Sequence, residues 1–259
     1  MTAKTANSLE RLQAVLEVFT EDRLEWTPEE MMEALGYSRP TLYRYLKILK
    51  SAGLLTSMPN TGFMLGPKIV ELDYLLRKSD ALILHGLPHL EFLTSQYSCT
   101  ALLVRWYGDK ILCVDSRSSI KNPVTSYARG RPMPLGRGAI GRSIVAFLPK
   151  RHLVPLIEKT MADMAAVGLG NTLDDVQESL KRVRKTGFAV AYGEVTPGVV
   201  GIAAPVFDAG RSPIASVCVT ISGSLVNGTA IDQIGQQVRH AGSEISAALA
   251  AHRHQSSDR

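Results

Sequence analysis

Residues 36–55 read GYSRPTLYRYLKILKSAGLL. Leu42, Tyr45, Leu46 and Leu49 recur at i, i+3, i+4 and i+7, the spacing of one face of an α-helix. Ser38 stands where an N-cap belongs, and Gly53 where such a helix stops. With the apolar residues turned inward, Arg39, Thr41, Tyr43, Arg44, Lys47 and Lys50 face outward. Guanidinium and ammonium groups bind phosphates and guanine edges, and Thr and Tyr hydroxyls reach phosphates or bases. The stretch therefore reads as a DNA-recognition helix, with Thr41, Tyr43 and Arg44 at or near the bases and Lys47 and Lys50 on phosphates.

The flanking sequence agrees. Upstream, Thr27-Pro28-Glu29-Glu30 supplies a cap, a proline at the first helical position and a capping-box glutamate. That helix is predicted to run to about Leu35, with Gly36 ending it, so Gly36-Tyr37-Ser38 joins the two halves of a helix-turn-helix. A first helix is predicted over 9–20, with Leu9, Leu12, Val15, Leu16 and Phe19 on one face and Ser8 as its cap. Downstream, Leu54–Ser57 and Phe63–Leu65 flank a turn at Pro59-Asn60-Thr61-Gly62. This hairpin makes the unit a winged helix, with Asn60 and Thr61 at the wing tip facing DNA. The alternative is a purely structural three-helix bundle. Charge argues against it: residues 17–33 hold seven acids and one base, whereas 34–70 hold five bases and no acid. That segregation is suited to a phosphate backbone on one side only.

The rest of the chain has a different texture. Pro67 opens a linker helix predicted over 67–80, and a further helix, about Leu82–Tyr97, carries Pro88. Strands are expected at Thr100–Trp106 and Lys110–Asp115 around Gly108-Asp109, then at Phe188–Tyr192, Gly201–Phe207 and Ile214–Ser222. Helices are expected at Ala139–Phe147, Arg151–Glu158, Leu173–Lys185 and Thr229–Ala251. The last has Ile231, Ile234, Val238, Ala241, Ile245 and Leu249 on one face. This is an α+β domain with a largely antiparallel sheet. The expected division is a winged helix over 1–66, the linker helix, a ligand-binding domain over 81–254 and a disordered tail over 255–259.

Composition sets the frame. The chain has 259 residues, 45% of them hydrophobic, enough for one or two folded domains and too many for global disorder. No apolar run reaches the ~18 residues that span a bilayer, so no membrane partner is expected. Glu10 and Arg11 interrupt the N-terminal apolar pattern, unlike a secretory signal. Cys99, Cys113 and Cys218 are dispersed and odd in number, which fits reducing cytoplasm better than a disulfide framework or zinc site.

Six segments together resemble the IclR family of bacterial transcription regulators. They are SLERLQAVLEVF (8–19), GYSRPTLYRYLKILKSAGLL (36–55), GFMLGPKIVEL (62–72), PLGRGAIGRSIVAFLP (134–149), GFAVAYGEVTPGVVGIAAPVFD (187–208) and ASVCVTISG (215–223). The resemblance implies a winged helix, a linker helix and a C-terminal effector-binding domain of GAF-like fold. It also implies a homodimer, often paired into a homotetramer, on palindromic double-stranded operator DNA. The chain departs from the family pattern P-L-H-x-[ST]-A-x-G-K. Gly136 replaces the His, Gly138 stands at the small-hydroxyl or Ala position, and Arg142 replaces the Lys. Ala191 and Tyr192 stand where many relatives carry an acidic pair.

By the same resemblance the effector pocket is lined by Ala139, Ile140, Gly201, Cys218 and Thr220, with Val199 nearby. Backbone N–H groups over Gly138–Gly141, at a helix N-terminus, favour a carboxylate, and Arg137 or Arg129 can add a charge-assisted contact. The expected effector is a small organic acid, with Trp106, Tyr107, Tyr127 and Tyr192 available to wall an aromatic one. The alternative for the eight bases that residues 116–157 hold without an acid is subunit packing or a solvated face.

Rival chemistry has less support in the residues. Gly136–Ser143 nearly matches the phosphate loop GxxxxGK[ST], but Arg142 stands at the lysine position and the sheet is expected to be antiparallel. No G-x-S-x-G or Ser/His/Asp grouping suggests a hydrolase. His85 and His89 have a metal-like i, i+4 spacing without a third ligand. Cys218 has no neighbouring charge to activate it. Neither catalysis nor a cofactor is expected.

Overall fold

The computed structural model of the chain describes residues 7–58, 62–123 and 127–257. It divides into two compact units, one ending at Ser79 and one beginning at Asp80. Among the described residues no helix is long and apolar enough to cross a membrane.

The N-terminal unit opens with α1 (Ser8–Glu17), α2 (Pro28–Leu35) and α3 (Arg39–Ser51). The cap of α1 is Asn7 rather than Ser8. The Asn7 carboxamide accepts from the Leu9 and Glu10 N–H groups and Glu10 reaches back to Asn7 N, a complete capping box. The Ser8 hydroxyl instead meets the Tyr45 hydroxyl at 3.1 Å. The first helix stops at Glu17, short of the expected residue 20, because Thr20 and Arg23 pair across a tight turn. The Thr27–Glu30 box and the left-handed Gly36 are as the sequence predicts. Val15, Met31, Leu42, Tyr45, Leu46, Leu49 and Leu55 form the core of this unit.

The hairpin β1 (Leu55–Met58) and β2 (Gly62–Leu65) is antiparallel, with Ser57 opposite Phe63. It gains a third edge where Trp26 and Phe63 exchange both backbone hydrogen bonds, at 3.0 and 2.8 Å. The linker helix is α4 (Pro67–Ser79), which clusters with this unit.

The second unit begins with Asp80, which caps α5 (Ala81–Gln96) through Leu82 N and pairs with Arg105. Its six-stranded antiparallel sheet has the order β5-β4-β3-β8-β7-β6. The strands are β3 (Thr100–Trp106), β4 (Ile111–Ser118), β5 (Pro132–Met133), β6 (Ala189–Tyr192), β7 (Val199–Phe207) and β8 (Pro213–Ser222). The two-residue β5 is too short to leave a sequence pattern.

Successive strand residues alternate between two cores. Leu103, Val217, Val219, Ile202 and Ala204 face α5 and α9 (Gly228–Ser257). Leu102, Val104, Cys218 and Ala203 face α6 (Gly138–Val145), α7 (Lys150–Ala166) and α8 (Leu173–Thr186). Both faces are buried, which is why these strands read as unbroken apolar runs. α9 continues through the expected tail as far as Ser257, since no glycine or proline interrupts 251–257.

Gly62 is the tightest backbone approach in the wing. Its φ is +152°, and an added Cβ would lie 2.2 Å from the Trp26 carbonyl oxygen. Gly62→Ala is therefore expected to destabilise the N-terminal unit by roughly 1–3 kcal/mol and to weaken DNA binding with it. Urea titration followed by circular dichroism checks this, and an unchanged midpoint would show that the wing can shift without cost.

Candidate functional site

The face of α3 opposite its core carries the predicted cationic residues. Leu42, Tyr45, Leu46 and Leu49 are buried, while Ser38, Arg39, Tyr43, Arg44, Lys47 and Lys50 are exposed and Thr41 is half-buried. Ser38 occupies the N-cap position but makes no capping bond; its hydroxyl donates to Thr41 Oγ1 at 3.0 Å. The Arg39 guanidinium lies 5.3 Å from the Tyr43 ring centroid, and that of Arg44 lies 5.2 Å from the Tyr45 ring. These stacks pre-orient two long side chains that would otherwise lose rotamer entropy on binding. Lys50 Nζ donates to Ser57 Oγ at 2.9 Å, so the lysine read as a phosphate contact also ties α3 to the wing. Asn60 and Thr61 lie outside the described residues.

In the second unit, a cavity of about 450 Å³, part of it open to solvent, lies between the N-terminus of α6 and strands β6–β8. Arg137, Gly138, Ala139, Ile140, Val199, Gly201, Cys218 and Thr220 all line it, as expected from sequence. The sheet register explains the grouping, because Ala191, Gly201 and Thr220 are direct cross-strand partners and share one face. Small residues make the floor: a Cβ on Gly201 would touch the Ala139 Cβ at 3.5 Å. Where the family pattern has a histidine, α7 closes over Gly136, leaving no room for a Cβ beside Thr160 and Asp163.

Two expectations are corrected. Arg129 is not in the cavity; its guanidinium donates to the Val114 carbonyl on β4. Of the four candidate aromatics only Tyr127 lines the wall. Trp106 packs into the α6-side core, and Tyr107 and Tyr192 are exposed.

The principal residue that sequence reading left without a role is Glu194, in the turn between β6 and β7. Its carboxylate accepts from Gly138 N at 2.8 Å, so the first N–H of α6 is not free. Arg142 Nη2 donates to both Glu194 oxygens at 2.7 Å, and its Nη1 donates to the Val190 carbonyl at 2.7 Å. Both side chains are nearly buried, 11% and 12% exposed. The signal available in sequence was Arg142 at the family's lysine position together with a distant acid. Gly138, at φ +83°, lets the chain turn into α6 with Val195 closing over it.

The Ala139 and Ile140 N–H groups have no acceptor among the described residues, and the Arg137 guanidinium, exposed at the rim, has no partner among them. The cavity thus offers two backbone donors and a cation beside an apolar wall. Burial raises the Cys218 thiol above its ordinary pKa and so keeps it protonated. The phosphate-loop alternative fares poorly. Its loop enters α6 from an edge strand of an antiparallel sheet, and Arg142 is held by Glu194. Among the described residues no group of three His, Cys, Asp or Glu side chains could hold a metal.

The Arg142–Glu194 pair yields a stability prediction. Arg142→Ala leaves a nearly buried carboxylate unpaired and is expected to cost about 3–5 kcal/mol. Arg142→Lys, which keeps the charge but not the fork, should recover part of that loss. Equilibrium unfolding in urea measures both, and a loss under ~1 kcal/mol for Arg142→Ala would mean solvent replaces the arginine.

Comparison with known proteins fits this architecture. The family described as "Bacterial transcriptional regulator IclR C-terminal" matches residues 78–247, and "IclR helix-turn-helix domain" matches 8–59. The HTH-type transcriptional regulator XynR of Escherichia coli is 25% identical over 244 residues, 93% of this chain and 96% of that protein. The Pca regulon regulatory protein of Pseudomonas putida is 25% identical, covering 87% and 78%. An IclR transcriptional regulator from Alicyclobacillus acidocaldarius superposes with a TM-score of 0.79 at 21% identity, over 95% and 99% of the two chains. An IclR homologue from Microbacterium hydrocarbonoxydans, solved with 4-hydroxybenzoate, superposes with a TM-score of 0.77 at 22% identity, over 95% and 100%. With the family profiles spanning both units, the chain belongs to the IclR family and is a DNA-binding transcription regulator.

Proposed function

We propose that this regulator is not an enzyme and is controlled by a small organic acid, aromatic acids included, bound in the cavity beside α6. The observation that carries this reading is that, among the described residues, the Ala139 and Ile140 N–H groups have no acceptor and the neighbouring Arg137 has no partner. A helix N-terminus and a guanidinium together suit a carboxylate, and Tyr127, Met133, Ile140 and Val199 offer the apolar body a dry wall. The 4-hydroxybenzoate held by the Microbacterium protein is a ligand of this chemical kind.

On DNA, Thr41, Tyr43 and Arg44 lie at or near base edges, Lys47 and Lys50 lie on phosphates, Ser38 and Arg39 add further contacts, and Asn60 and Thr61 touch the adjacent backbone or minor groove. The functional form is a homodimer, able to pair into a homotetramer, on a palindromic operator in the cytoplasm. The dimer reading is supported by α4, which has no buried residue and exposes Val70, Leu72, Tyr74, Leu75 and Leu76. Effector binding changes operator affinity only by its differential affinity for the two arrangements of the paired DNA-binding units.

Arg44→Ala should reduce operator preference over random DNA by about tenfold, equivalent to one base contact. Lys47→Ala should weaken both DNAs alike and flatten the salt dependence. Fluorescence anisotropy against the upstream DNA at two salt concentrations reads both effects, and equal losses on operator and random DNA for Arg44→Ala would reject the base-contact role.

The same assay, run with a panel of carboxylates that includes 4-hydroxybenzoate, should find one that shifts operator affinity. Gly201→Val, which fills the cavity floor, should abolish that shift while leaving ligand-free DNA binding intact. Calorimetry showing no binding across the panel would overturn the acid reading.

A further inference from the structure

A second hollow adjoins the cavity at Thr220. It has a volume of about 520 Å³ including the solvent at its mouth and shares Val199 and Thr220 with the first. Its remaining lining includes Ser98, Thr100, Ser222 and Leu225. The two hollows lie along one row of the sheet. Ala191 on β6 pairs with Gly201 on β7, Gly201 with Thr220 on β8, Thr220 with Thr100 on β3, and Thr100 with Ser118 on β4. Direct cross-strand partners face the same side, so these five residues form one track.

Chemistry changes along the track. Its first two positions, Ala191 and Gly201, are small and apolar beneath α6. Its last three, Thr220, Thr100 and Ser118, carry hydroxyls. The Thr100 and Ser118 hydroxyls share a hydrogen bond at 3.0 Å, and Thr220 Oγ1 donates to the Thr100 carbonyl at 3.3 Å. Ser98, at the open end, is exposed. Two strand spacings separate Gly201 from Thr100, roughly 10 Å, more than one aromatic ring covers.

From this track we infer that the effector is an elongated acid carrying a hydroxyl group at the end remote from its carboxylate. The inference rests on the carboxylate reading above and specifies the molecule that reading admits. The carboxylate lies at the first turn of α6, the apolar body runs along Val199 and Thr220, which line both hollows, and the remote hydroxyl joins the hydroxyls of Thr100 and Ser98. An acid that ends at the first ring leaves the second hollow to water.

Calorimetry on the full-length protein tests this with benzoate, 3-phenylpropanoate and 3-(4-hydroxyphenyl)propanoate. The hydroxylated long acid should bind about tenfold tighter than 3-phenylpropanoate, the effect of one buried hydroxyl contact, and tighter than benzoate. Thr100→Val should bring the ratio of the two long acids to near one. Ser98→Ala, at an exposed site that does not threaten folding, should reduce the same ratio. Binding of benzoate with no gain from the longer hydroxylated acid, or an unchanged ratio in both variants, would overturn this proposal and leave the carboxylate reading standing. Failure of all three acids to bind would overturn both.

Discussion

A carboxylate at the head of a short helix organises the C-terminal unit of this protein. α6 is eight residues long and begins without a side-chain cap of its own. A helix start leaves N–H donors unmet and carries a partial positive charge. Glu194 answers one donor, and Arg142, one turn into the same helix, neutralises the glutamate and reaches the β6 carbonyl of Val190. The arrangement fastens α6 to the β6–β7 edge and holds the small-residue floor against it. Among the described residues the next two donors, at Ala139 and Ile140, have no acceptor, and both residues line the cavity. Structural need and the proposed carboxylate site thus share one helix end.

The wider fold supplies what that contact requires. Helices cover both faces of the antiparallel sheet, so alternate residues of each central strand serve two cores, and a cavity on one face is insulated from the other. The α5–α9 side is filled by large aliphatic side chains. The α6 side is thinned at Ala139, Ala191 and Gly201, and space appears there. Absent side-chain volume, more than any added group, makes the site.

The winged helix follows a simpler logic. One helix face is apolar and enters a core of seven buried residues; the opposite face is cationic and stays exposed. Aromatic rings stack beneath two of its arginines, and Lys50 is shared with the wing. The caps of its first two helices, its turn glycine and its strand bridge satisfy backbone groups locally.

How much of this was legible in the sequence depended on the range of the interaction. The recognition helix, the Thr27–Glu30 box, the turn at Gly36 and the hairpin are written in residues within about four positions of one another, and there the reading and the structure agree. Even there, competition shifted details: Asn7 outcompeted Ser8 for the first cap by reaching two N–H groups, and Ser38 turned to Thr41. The cavity floor was reached only through family resemblance, because Ala191, Gly201 and Thr220 meet through strand register. The role of Glu194 was signalled only by Arg142 at the family's lysine position. Glu194 lies 52 residues from Arg142, and nothing local marks which cation a distant acid will meet. Arg129 was misplaced for the same reason, since proximity in sequence to a pocket does not fix where a long side chain finds its acceptor. Sequence alone determined the helix-turn-helix and wing, because caps, turns and helical periodicity are local physics. Tertiary structure alone decided which donors of α6 remain open, because that depends on which side chains the folded sheet brings to the helix.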